Sequence, residues 1–91
     1  MTSTITTIRL SRDEIDYLNN ADFLKPLQID TLRRAESLND ASTILRLSHD
    51  LAEEFRDAFT VQLAQVGFDE KYDTTSEGQI LENLIDRFYV P

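Results

Sequence analysis

Residues 48–68 read SHDLAEEFRDAFTVQLAQVGF, and how this stretch folds decides the architecture of the chain. Leu51, Phe55, Ala58, Phe59, Leu63 and Val66 recur at i, i+4, i+7, i+8, i+12 and i+15, the spacing that gathers side chains on one helix face. Ser48 stands before the run as an N-cap, because its hydroxyl can accept from an amide that has no partner in the first turn. Gly67 follows where helices commonly turn left-handed and stop. Phe68 is placed to fold back on the last turn as the apolar partner of such a cap. A second helix is predicted over 76–88, with Thr74 and Glu77 spaced as a capping box. Ile80, Leu81, Leu84, Ile85 and Phe88 give it one apolar stripe. Two stripes joined by a short loop predict an antiparallel helix pair. Gly78, in the first turn of that second helix, costs up to about 1 kcal/mol relative to Ala. That cost predicts a close approach there, with Phe68 or Tyr72 as the neighbour.

Upstream of the pair, residues 42–47 (STILRL) and 4–10 (TITTIRL) are short and rich in β-branched side chains, which suits strands. The phrases IRLSRD at 8–13 and LRLSHD at 45–50 share one grammar, a strand that ends at Leu and a capped helix that begins at Ser. Ser11 and Glu14 form a second capping box, opening a short helix over 12–19 with Ile15 and Leu18 inward and Tyr17 at its edge. Residues 21–28 read as a loop whose Phe23, Leu24 and Leu27 plug the core, since Pro26 lacks a backbone donor and biases Lys25 away from helix. Residues 29–37 admit two readings. Ile29, Leu32, Ala35 and Leu38 would make a helical stripe, but the strand at 42–47 needs a neighbour. A turn at Leu38-Asn39-Asp40-Ala41 would supply one directly. The hairpin is the reading adopted.

The expected fold is therefore α+β. A small three-stranded antiparallel sheet (4–10, 29–37 and 42–47) packs on the C-terminal helix pair (49–66 and 76–88), with one short N-terminal helix. All 91 residues form one small domain, with a core of Leu10, Leu18, Phe55, Phe59, Leu63, Leu84, Ile85 and Phe88.

Composition bounds the function. No cysteine is present, which excludes disulfides, thiolate nucleophiles and thiolate metal sites. The N-terminal ten residues lack the basic flank and apolar run of a signal peptide, and no run approaches a membrane span, so a cytoplasmic location is expected. The net charge of −8 is uneven: residues 1–47 carry −1 and residues 48–91 carry −7. Such a field opposes nucleic acid and anionic membranes and favours a basic partner, although acidity also serves solubility alone.

Candidate chemistry is sparse. Ser48-His49-Asp50 has the residue types of a catalytic triad, but neighbours on a helix start point about 100° apart and cannot meet. A calcium loop counted from Asp69 meets Lys71, Thr74 and Ile80 where it needs an oxygen ligand, Gly and Glu. The two glycines, Gly67 and Gly78, are too far apart to cradle phosphate. No metal and no cofactor are expected, and no enzymatic activity. What remains is charge placed on a helix. Asp50, Glu53, Glu54 and Asp57 share the sector opposite the apolar stripe, and Glu82 with Asp86 repeats the pattern on the last helix. Like charges at i,i+3 and i,i+4 cost a few tenths of a kcal/mol each, partly offset near a helix N-terminus by its dipole. These six carboxylates are the candidate binding residues of a non-catalytic interaction protein, of inhibitor, immunity or antitoxin-like type, with a basic protein as partner. The alternative is a structural subunit acting as an obligate homodimer through Val61, Tyr89-Val90 and a sheet edge.

Overall fold

The computed structural model describes residues 4–38, 42–71 and 73–89. Asn39, Asp40 and Ala41 of the expected turn lie outside them, as do Tyr72 and Val90. Strand β1 (Ile5–Leu10) leads into helix α1 (Arg12–Asn19). Helix α2 (Pro26–Arg33) and the two-residue strand β2 (Glu36–Ser37) come next. Strand β3 (Thr43–Ser48), helix α3 (His49–Val66) and helix α4 (Ser76–Arg87) complete the order. The sheet is antiparallel in the order β1-β3-β2, with Ile8 opposite Leu45 and Leu10 opposite Thr43. The α+β class and the sheet packed on the helix pair agree with the sequence reading.

Alternation explains which sheet face is covered. Ile8 and Leu10 of β1 and Thr43, Leu45 and Leu47 of β3 are buried, while Thr7, Arg9 and Arg46 are exposed on the other face. Helices cover the first face. There Phe88 meets Phe55 at 4.9 Å and Phe59 at 5.1 Å between ring centroids, the second pair nearly edge-on, as ring quadrupoles favour. Leu18, Leu81, Leu84 and Ala52 close round the three rings. Leu63 and Ile85, expected in the core, are only half-buried and pack against its margin.

The region from 21 to 37 departs from the expected loop and strand. Pro26 opens α2 instead of interrupting it, because at the first helical position its missing N–H would have no partner anyway. Gln28 helps the start, its Oε1 accepting from the Lys25 N–H at 2.9 Å. The expected strand at 29–37 survives only as Glu36–Ser37, paired with Ile44 and Thr43. The Leu38 N–H donates to the Ser42 carbonyl at 2.8 Å, so a hairpin does join β2 to β3, on a much shorter arm than anticipated.

The helix ends need three corrections. Gly67 has φ −77° and ψ −10°, ordinary right-handed backbone, so no left-handed cap stops α3. Phe68 is 46% exposed and bridges Thr74 instead of folding back on the last turn. The cap of α4 is Thr75, whose Oγ1 accepts from the Gly78 N–H at 3.0 Å, and not Thr74. Contact explains both glycines. A methyl on Gly78 would overlap the Gly67 carbonyl oxygen and lie 2.9 Å from its Cα; one on Gly67 would strike Leu63. The neighbour that Gly78 makes room for is thus Gly67. Ser11 and Glu14 do form their capping box, and Ser48 caps α3 by accepting from the Leu51 N–H at 3.1 Å.

Candidate functional site

Helix α3 buries Ala52, Phe55 and Phe59, which turns Asp50, Glu53, Glu54 and Asp57 outward. All four are exposed, and their carboxylates make no ion pair or hydrogen bond with any described residue. Glu82 and Asp86 are likewise exposed on α4 and likewise unpaired. Three arginines of the first half are paired elsewhere. Arg12 pairs with Asp16 at 3.9 Å, Arg34 with Asp30 at 3.0 Å and Arg46 with Glu36 at 2.5 Å. On the flank of α3, half-buried Arg56 lies 5.4 Å over the Tyr89 ring in a cation–π contact.

Two cavities show which of the six residues stand beside a concavity. One, of about 660 Å³, lies between α1, the 20–23 segment and α4. Asp13, Asp16, Asp22 and Glu77 line it with Tyr17, Phe23, Asn20, Gln62 and Ile80. The other, of about 380 Å³, lies between the start of α2 and α3 and is bordered by Lys25, Gln28, Glu54, Asp57 and Val61. Phe23 and Gln62 line both, so the two adjoin as neighbouring lobes. Glu54 and Asp57 border the second lobe. Asp50, Glu53, Glu82 and Asp86 border neither and stand on open helical surface.

The walls of the first lobe are held by packing and hydrogen bonding. Phe23 meets Phe59 edge-on at 6.4 Å and 83°, which anchors it to the core rings, and Tyr17 lies 6.3 Å from Phe23. The Tyr17 hydroxyl donates to Glu77 Oε2 at 2.5 Å. Burial pushes the Tyr17 phenol well above the usual tyrosine range. The hydrogen bond to Glu77 and the charges of Glu77 and Asp22 push it further the same way. A second tie between α1 and α4 runs beside it. Arg87 Nε reaches the buried Glu14 Oε2 at 3.4 Å, and the other Glu14 oxygen accepts from the Ser11 N–H at 2.8 Å.

This lobe escaped the sequence reading. Tyr17 and Glu77 are 60 residues apart, and only the packing of α1 on α4 brings them together. The one available signal was the density of Asp and aromatic residues between 13 and 23. Elsewhere, Ser48 is a cap, the His49 N–H donates to the Thr4 carbonyl, and Asp50 is exposed. Asp69 Oδ1 accepts from the Lys71 and Asp73 amides, closing the 67–75 loop on itself. Among the described residues, no three His, Asp or Glu side chains converge as ligands of a metal ion. No helix among them is long and apolar enough to cross a membrane.

No protein-family model, curated protein or solved structure matches the chain. Its own residues carry the functional reading.

Proposed function

We propose that this chain is a non-catalytic interaction module that docks a basic protein through the acidic outer face of α3, with the outer face of α4 beside it. The observation that carries this reading is the row Asp50, Glu53, Glu54 and Asp57: exposed, unpaired, and fixed to a helix that three core aromatic rings hold in place. Like charges so close together repel one another, and no described cation forms an ion pair with them. A cationic partner surface would. Complementary charge of this kind sets association rate and partner choice more than raw affinity.

The test is capture from native extract with the wild-type chain and two neutralised forms. One carries Glu53→Gln, Asp57→Asn, Glu82→Gln and Asp86→Asn; the control carries Asp30→Asn, Glu70→Gln and Asp73→Asn away from the face. A basic protein retained by wild type and control, and lost from the face variant, is the expected result. An identical captured set on all three refutes the reading.

A homodimer is the second reading, favoured by β1 lying at the sheet edge with Ile5 exposed. Light scattering that shows a dimer stable to dilution would favour it over the first.

A further inference from the structure

We propose that the two-lobed cleft receives an extended peptide segment of the basic partner through one arginine. Its guanidinium enters the first lobe against Tyr17 and Phe23, and a neighbouring main-chain carbonyl accepts from Gln28. The proposal rests on the partner being a basic protein, and adds where and how that partner is read.

The first lobe has the chemistry of a guanidinium site. Its rim carries Asp13, Asp16, Asp22 and Glu77, and no Lys or Arg lines it. Arg12 touches only the outer side, 3.9 Å from Asp16, where both side chains are largely in solvent. Its volume of about 660 Å³ suits a long side chain with its flanking backbone. Two aromatic side chains and several carboxylates match a planar, weakly hydrated cation that packs on rings and donates from a fork. An ammonium, a compact and strongly hydrated point charge, would meet the carboxylates but neither stack flat on a ring nor donate from a fork. Phe59 and Glu77 already fix the two rings, so little ordering accompanies binding.

The second lobe supplies an independent observation. Gln28 is only 2% exposed, and its Oε1 is taken by the Lys25 N–H. Its Nε2 has no acceptor among the described residues, yet no side-chain polar atom fully shut off from solvent lacks a partner. The amide nitrogen therefore opens on the lobe that Gln28 lines. A donor held that way calls for an acceptor, since a nearly buried amide without one loses free energy. A peptide carbonyl meets the need. The lobes adjoin through Phe23 and Gln62, and an extended chain advances about 3.5 Å per residue, so one short segment reaches both.

The experiment titrates the whole ¹⁵N-labelled chain with a blocked alanine-arginine-alanine tripeptide and with its citrulline counterpart, the neutral isostere. Saturable shifts at Tyr17, Phe23, Gln28 and Gln62 are expected with arginine, at millimolar affinity, and at least tenfold weaker binding with citrulline. Asp22→Asn, in an exposed position, should weaken the arginine peptide about fivefold. Gln28→Glu is the sharper variant. It keeps the oxygen that accepts from Lys25 and replaces the donor by an acceptor. It should weaken binding severalfold, even though an added negative charge strengthens simple attraction. Equal binding of citrulline, tighter binding to Gln28→Glu, or shifts confined to the open face of α3 overturns the inference. Loss of cleft shifts while capture still depends on the α3 row removes this inference and leaves the proposed function. Cleft shifts with capture indifferent to that row do the reverse.

Discussion

Tyr17 ties the N-terminal helix to the C-terminal one with a single hydrogen bond, and its titration offers a handle on that tie. Its phenol keeps its proton well above the usual range, chiefly through burial and then through Glu77. Below pH ~10 both folded and unfolded chains hold that proton, so the contribution of Tyr17 to stability is fully present. Above it the unfolded chain releases the proton first, and the contribution fades as pH climbs toward the folded value. Tyr17→Phe should therefore cost about 1 kcal/mol at neutral pH. It should also flatten the loss of stability above pH ~10 relative to wild type. Urea midpoints taken from pH 7 to 11 on both proteins check this. An alkaline limb of unchanged slope in the variant would contradict the assignment.

At the scale of elements, the start of α4 rests on the end of α3 where Gly78 meets Gly67. Gly78→Ala should destabilise by about 1–3 kcal/mol, although Ala is the better helix former, because the added methyl meets backbone that cannot move aside. A lower urea midpoint at unchanged slope is the expected outcome; stabilisation would show that the contact gives way. Phe88→Ala should cost about 3–5 kcal/mol, since its ring packs on both Phe55 and Phe59. The long periodic stretches, α3 and α4, were legible because their stripes alone specify a buried face. So were α1 and the ends of β1 and β3, where Ser11 and Ser48 mark the change of period. The 21–37 segment was not. Pro26 can stop a helix or start one, and nothing within the segment tells the two apart. The need of β3 for a neighbour was real, yet two residues satisfied it, and α2 took the rest. The cleft was hidden for a related reason: its walls come from α1, the 20–25 segment, α2, α3 and α4, which no local pattern links.

Across the whole molecule, the unpaired acidic rows lie on the helices, while beside the open face of the sheet Glu36 is paired with Arg46. Arg9 and Arg46 stand on the open face of the sheet, while the outward carboxylates of α3 and α4 stand on the helical side of a body 45 × 33 × 25 Å in extent. Repulsion within the acidic rows sets stability against binding. Replacing Glu53, Asp57, Glu82 and Asp86 by their amides should leave the fold intact and raise stability by roughly 0.5–1 kcal/mol at low salt. Screening should erase that gain near 1 M salt. Thermal unfolding at the two ionic strengths checks it, and a clear loss of stability would mean that the carboxylates are structural. The most direct test of the central claim is the affinity of the captured basic protein for wild type and for this four-amide variant, measured across a salt series. Affinity should fall steeply with salt for wild type, and the variant should bind at least tenfold more weakly with a shallower salt dependence. Equal affinities with equal salt dependence would contradict it.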